Sequence, residues 1–295
     1  MFAFSIPASA FSDSKEEEEP ELLTESAIVV DKSSGLTLFE KNAEQEMYPA
    51  SLTKMATAIY AIENADLDEK VTVSENARSV EGTRVYLEEG EEVSLEKLVQ
   101  GLLINSGNDA GVAIAEHLSG SEESFAEDLN EYLEQEVGLE DTNFTNPHGL
   151  HDEDHVTTAA DLAKLTRYAL KDPDFKEYFG AEELDWKGES WETTILSHHR
   201  LLLEDKGLTI TGGKTGYVEK SGNTLATSAK EDGMEVIVIT LKSDSQDIAY
   251  SETEKLLDYT FDTIEAPDIP EMEAFSIKGK ERAFFKSSSL LNMVN

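Results

Sequence analysis

The sequence predicts an α+β protein: one antiparallel sheet flanked by helices, with a helical subdomain inserted into it. Three observations predict this. β-rich runs lie at both ends of the 295-residue chain, helical patterns crowd its middle, and an amphipathic helix follows the last strand pattern. Strands from the two ends pair most simply as a single sheet. A cleft between that sheet and the inserted helices is a natural ligand site.

The elements follow in order. "MFAFSIPASAFS" is a short apolar stretch ending in Ala8-Ser9-Ala10, the small-residue pattern of a signal-peptidase site. It lacks a basic start and most of an apolar core, so it reads as a signal-peptide remnant. An acidic, flexible leader completes residues 1–24. In "AIVVDKSSGLTLFEKN" two β-rich runs flank Lys32-Ser33-Ser34-Gly35, which reads as a hairpin. In "PASLTKMATAIY", residues 49–60, Pro49 and Ser51 suit a helix entry, and Met55, Ala56, Ile59 and Tyr60 form an apolar face. Residues 69–93 read as short strands and loops. Ser94 then caps a helix carrying Leu95, Leu98 and Leu102. "DAGVAIAEHL" and "SEESFAEDLNEYLEQEVG" are further helices, the second closing at Gly138. "TTAADLAKLTRYALKD" runs from Thr157 to Asp172, with Pro173 just past its end. After about residue 207, "GLTITGGKTGYV", "GNTLATSAK" and "MEVIVITLK" are strands, the last two joined through Glu231-Asp232-Gly233. "DIAYSETEKLLDYTFDTI" is the closing helix. The chain divides into the leader at 1–24, a main domain at 25–266 and a tail at 267–295.

Composition removes several function classes. Sixty-two acidic residues against twenty-four basic ones give a net charge of −38, so nucleic acid is not a partner, because phosphate binding needs a basic surface. We read the acidity as adaptation to a salty or alkaline exterior. The absence of cysteine excludes disulfides, thiol catalysis and Cys-based zinc sites. No run of apolar residues is long enough for a transmembrane helix.

Three short motifs carry the chemistry. Ser51 and Lys54 form S-x-x-K, one turn apart on a helix face. A serine hydroxyl needs a base to become a nucleophile, and a lysine whose pKa is lowered can be that base. Ser106-Gly107-Asn108 places a hydroxyl and an amide at a helix–helix junction. Lys214-Thr215-Gly216 would display a cation and a hydroxyl on an edge strand, Gly216 letting a ligand approach the backbone. Each alone has an ordinary reading: an N-cap, a solvated lysine, a strand with a turn. "GGKTG" is not a P-loop, since Leu208 stands where that motif needs its first glycine. His148, His151 and His155, with Asp152 and Asp154 nearby, tempt a metal reading. Their spacing is not that of a helical metal motif, and Gly149 argues for a loop. A Ser/His/Asp triad is not called for, and no G-x-S-x-G occurs.

Together, S-x-x-K, S-[DG]-N and K-T-G in this order are the signature set of penicillin-binding proteins and serine β-lactamases. The chain resembles the D-alanyl-D-alanine carboxypeptidases, the low-molecular-mass penicillin-binding proteins of the S11 peptidase family. The likeness runs from about residue 25 to 265 and includes "PASLTKMATA", "LLINSGNDAGVAIAEHL", "NFTNPHGLHDEDHVTTAADLAKL" and "GGKTGYV". The resemblance implies a serine β-lactamase/transpeptidase-like fold. It implies that Ser51 attacks the penultimate D-Ala carbonyl of a peptidoglycan stem peptide while Lys54 takes its proton. It implies that Ser106 relays a proton to the leaving amine and that Asn108 orients Lys54 and the substrate amide. Lys214 and Thr215 would hold the terminal carboxylate, and the N–H groups of Ser51 and Tyr217 would form the oxyanion hole. No cofactor is implied, and β-lactams would be covalent inhibitors.

Some features set limits on that resemblance. A second SGN, Ser221-Gly222-Asn223, sits at a strand–strand turn and is set aside. His198 and His199 stand where family members usually carry asparagines. A D,D-endopeptidase is the nearest alternative. A class A β-lactamase would need an E-x-x-L-N segment between the second and third motifs, which is missing here. A β-lactam sensor would need a transmembrane signalling segment. Longer family members carry a second β-rich domain and an amphipathic membrane helix, and residues 267–295 resemble only the start of such a domain. The expected setting is outside the bacterial cell, at the wall or the membrane periphery.

Overall fold

The computed structural model describes residues 19–189, 191–204 and 207–264; the signal-peptide remnant and the 267–295 tail read from the sequence lie outside them. The end of the leader is tied down rather than loose. Leu23 N and Thr24 N donate to the Glu252 carboxylate, and Lys41 Nζ donates to the carbonyls of Leu22 and Thr24.

Strands β1 (Ser26–Asp31) and β2 (Thr37–Lys41) form the expected hairpin. Asp31 closes its turn by accepting from Ser34 N at 2.7 Å. A 3₁₀ turn, Ala50–Leu52, then leads into α1 (Thr53–Asn64). Regular helix therefore starts later than Pro49, because Ala50 sits at φ 49°, in the left-handed region. Residues 69–93 hold β3 (Lys70–Thr72) and a short helix, α2 (Glu75–Ser79), and β4 (Glu92–Ser94) follows, paired antiparallel with β3.

Helices α3 (Leu95–Ile104), α4 (Asn108–Ser119) and α5 (Glu122–Tyr132) make the inserted subdomain, whereas α6 (Ala159–Ala169) packs on the sheet beside β1 and β9. Ser94, Ser121 and Thr158 cap α3, α5 and α6 through their side-chain oxygens. After α5 the chain makes one π turn and ends on Gly138 at φ 78°, a conformation that glycine adopts without strain. Pro173 does more than follow a helix end: it is the first residue of α7 (Pro173–Phe179), with Asp172 as cap. Between 173 and 207 the sequence reading placed no element. The structure has α7, the hairpin β5 (Glu183–Lys187) and β6 (Glu192–Leu196), and α8 (Arg200–Leu203). The two strands bury only Trp186 and Ile195, so their sequences show little periodicity.

Strands β7 (Thr209–Val218), β8 (Gly222–Glu231) and β9 (Met234–Ser243) precede α9 (Gln246–Thr263). The central sheet is antiparallel in the order β2-β1-β9-β8-β7, so both ends of the domain build it and β7 is an edge. Asp232 and Gly233, both at positive φ, form the tight β8–β9 turn. The sheet is covered on both faces. Ala27, Val29, Val236 and Val238 pack with Leu256 and Leu257 of α9. Ile28, Val30, Ile237 and Ile239 pack in the larger core that includes Met55 and Leu162. Burial on both faces is why these strands read as unbroken apolar runs.

The segment 145–155, where the histidines invited a metal reading, is a folded loop pinned by His155. Thr53 Oγ1 donates to Ala50 O, so His155 Nε2–H donates to Thr53 Oγ1, at 2.8 Å. His155 Nδ1 then accepts from Thr145 N at 2.9 Å. This pattern requires a neutral ring, and burial holds His155 down to about 3. His148 meets Glu122, and His151 stands edge-on to Tyr48. Among the described residues no group of three or more His, Asp and Glu is placed to hold a metal.

Two predictions follow from this loop. A folded-state value below the unfolded one means that the unfolded chain binds the proton first. The contribution of His155 is therefore intact above about pH 6.5 and is lost as pH falls toward 3, by up to about 1.4 kcal/mol per pH unit. His155→Gln should flatten the acid limb of stability against pH in urea titrations, and an unchanged limb would refute the assignment. Gly149 lies at φ 88°, and a Cβ there would sit 1.9 Å from Ala50 O. Gly149→Ala should destabilise the domain by about 3 kcal/mol or more, and an unshifted denaturation midpoint would refute that contact.

Candidate active site

The site is built where the sheet edge meets the start of α1 and the α3–α4 junction. Ser51 is the middle residue of the 3₁₀ turn, and Lys54 is in the first turn of α1. Lys54 Nζ lies 2.8 Å from Ser51 Oγ and donates to His148 O at 2.7 Å. The lysine is wholly buried. Its pKa falls well below the usual lysine range, chiefly through burial and next through the charge of Lys214, while Asp109 pulls it partly back.

Ser106 sits at φ 61° between α3 and α4, which turns its hydroxyl across the cleft. Lys214 Nζ, from β7, reaches Ser106 Oγ at 2.8 Å and Thr215 O at 3.0 Å. Burial brings Lys214 down to about 7. Two buried amines thus each touch a serine hydroxyl, one on either side of the cleft.

Gly216 explains how β7 comes so near. A Cβ at Gly216 would lie 2.4 Å from Thr224 Oγ1 and 2.8 Å from Ser51 N. Thr224 Oγ1 in turn donates to Pro49 O at 3.0 Å, stitching β8 to the turn that carries the serine. The cleft between these parts measures about 240 Å³. Ser51, Ser106, Thr215, Gly216 and Tyr217 line it, as does Thr83.

All eight residues singled out in the sequence come to this region. Asn108 is buried at the head of α4, where its Nδ2 donates to Glu81 O at 2.6 Å. The partners seen for Lys54 are Ser51 and the His148 carbonyl, not the Asn108 amide that the resemblance suggested. Ser221 of the second SGN only ties its own turn, bonding to Val218. The sequence reading missed the His148 carbonyl and Thr83. It also missed Asp109, whose carboxylate accepts from Val85 N and Leu87 N. A buried acid directly after Asn108 was the available signal for that one. His198 lines the cleft, whereas His199 is buried behind β7 with Nε2 on Thr227 Oγ1.

The chain matches the Peptidase_S11 family, D-alanyl-D-alanine carboxypeptidase, over residues 13–245. It is 33% identical over 272 residues to D-alanyl-D-alanine carboxypeptidase DacF of Bacillus subtilis (strain 168), which covers 90% of this chain and 69% of that one. It is 31% identical over 304 residues to D-alanyl-D-alanine carboxypeptidase DacC of Escherichia coli (strain K12), covering 99% and 74%. The solved structure of penicillin binding protein 5 from Haemophilus influenzae superposes with a TM-score of 0.77 at 30% identity, covering 83% and 73%. The chain therefore belongs to the S11 peptidase family of D-alanyl-D-alanine carboxypeptidases.

Proposed function

We propose that this protein is a serine-type carboxypeptidase that removes the terminal D-alanine from peptidoglycan stem peptides through an acyl-enzyme on Ser51. The observation that carries the reading is the wholly buried Lys54 amine at 2.8 Å from Ser51 Oγ. A neutral Lys54 accepts the Ser51 proton as Oγ attacks the penultimate D-Ala carbonyl. The N–H groups of Ser51 and Tyr217 receive the oxyanion. The tight approach of Gly216 to Ser51 N supports this placement. Lys214 and Thr215 hold the terminal carboxylate by charge-assisted bonds. Ser106, on Lys214 Nζ, relays to the leaving amine the proton that Lys54 took from Ser51, so that Lys54 is neutral again, Ser106 keeps its own hydroxyl proton, and D-Ala departs. Asn108 fixes the 81–83 segment beside the cleft. Water then hydrolyses the ester and restores the Ser51 hydroxyl. β-Lactams, which mimic the substrate, would acylate the same serine. The substrate lies outside the cytoplasm, so the proposal places the protein at the bacterial wall or the membrane periphery.

The direct test is D-Ala release from diacetyl-Lys-D-Ala-D-Ala in high salt, with wild type beside Ser51→Ala. Release by wild type and loss in the variant are expected, together with loss of labelling by a fluorescent penicillin. A folded wild type that neither releases D-Ala nor labels would end the reading. The base role makes a second prediction. Lys54→Arg puts a guanidinium that stays protonated where a neutral amine is needed, so it cannot accept the Ser51 proton and acylation should fall about 10²- to 10⁴-fold. In wild type, the lowered Lys54 should sustain acylation at neutral pH, and the rate should drop as acid protonates the amine. A pH-independent acylation rate would argue for another base.

A further inference from the structure

The segment 81–87 lies directly on the Ser106-Gly107-Asn108 turn. Asn108 N donates to Thr83 O at 2.7 Å, and Asn105 Nδ2 donates to Arg84 O at 3.0 Å. The buried Asp109 accepts from Val85 N at 2.9 Å and from Leu87 N at 3.1 Å. Between those two anchors Tyr86 is forced to φ 60°, where a bulky aromatic residue is rarely found. Its ring is not buried in return: it is 60% exposed. Trp191, from the β5–β6 turn, stands edge-on to it at 5.9 Å and donates its indole N–H to Val85 O at 3.2 Å. The Arg84 guanidinium lies 5.4 Å from the Tyr86 ring centre. A buried carboxylate and an indole thus hold a strained backbone that presents an aromatic face to solvent. Strain maintained in this way is characteristic of functional positions.

The position of this face suggests its use. Thr83, three residues earlier, lines the catalytic cleft. On the strand wall Tyr217, next after Gly216, is 64% exposed. With the terminal carboxylate on Lys214 and Thr215, a substrate chain that passes Ser51 toward Thr83 would run between β7 and the 81–87 segment, two of the walls of this cleft. We propose that Tyr86, braced by Trp191 and flanked by Arg84, is a lip that binds the part of the substrate peptide N-terminal to the scissile bond. This rests on the function proposed above. The flat ring takes the aliphatic side chain that precedes the two D-alanines. Arg84 adds a cation suited to an acidic group on the same peptide. The lip makes the enzyme prefer long acyl chains to short ones.

The test compares D-Ala release from diacetyl-Lys-D-Ala-D-Ala and from the shorter acetyl-D-Ala-D-Ala. Tyr86→Gly removes the ring and also relieves the backbone strain, so it should fold at least as stably as wild type. It should lower kcat/KM on the long peptide about tenfold and leave the short one within about twofold. Tyr86→Phe, which keeps the ring, should match wild type on both. An unchanged Tyr86→Gly on the long peptide would overturn the lip, as would equal losses on both peptides, which a merely structural role would give. A wild type inactive on both peptides would sink the carboxypeptidase reading and the lip with it, and so differs from a failure of the lip alone.

Discussion

A lysine amine without water is the constraint around which this domain is arranged. An ammonium group loses several kcal/mol of solvation on burial, even after the protein relaxes around it. Lys54 is wholly buried, and a second buried lysine, Lys214, opposes its charge. The domain supplies little compensation: one backbone carbonyl from His148, one serine hydroxyl and the more distant Asp109. The result favours a neutral amine beside a hydroxyl, which is the state a general base requires. The surroundings keep that amine dry. The α3–α4 junction closes one side, the 145–155 loop lies over the start of α1, and β7 seals the sheet edge.

That dry site depends on backbone approaching backbone, so it depends on residues without side chains. Gly216 lets β7 reach the Ser51 amide, and Gly149 lets the loop that carries the His148 carbonyl touch Ala50. Gly213 does the same for His199, whose ring occupies the space a Cβ would need. His199 therefore fills the space behind the strand that bears Lys214. Its Nδ1 has no hydrogen-bond partner among the described residues. Burial lowers it to about 3, so it fills this space as a neutral ring.

Charge of both signs is buried: Asp31, Asp109 and Asp161 as well as Lys54 and Lys214. The chain carries −38 overall, yet the buried cleft holds the two lysines. Many of the acids work locally. Glu96, Glu122, Asp174 and Asp247 stand in the first turns of their helices, where a negative charge meets the positive end of the helix dipole.

The parts of the fold that could be read from the sequence are those with a local signature. Strands β1 and β9 show it as apolar runs because both their faces are buried, and α3 shows it through Ser94 and its leucine spacing. The three motifs named the site residues because each spans only three or four consecutive positions: S-x-x-K runs from the 3₁₀ turn into α1, and K-T-G lies within β7. What remained hidden came from contacts between distant segments. The His148 carbonyl on Lys54 is a backbone group, and a backbone acceptor leaves no trace in residue identity. The β5–β6 hairpin buries one residue per strand, too few to set a period. The left-handed Tyr86 is held by Asp109, twenty-three positions on, which accepts from the amides on both sides of it, and by Trp191, which donates to Val85 O. Local sequence encodes which face of an element is buried. Which backbone atoms then meet across the cleft is decided by the packing of segments far apart in the chain.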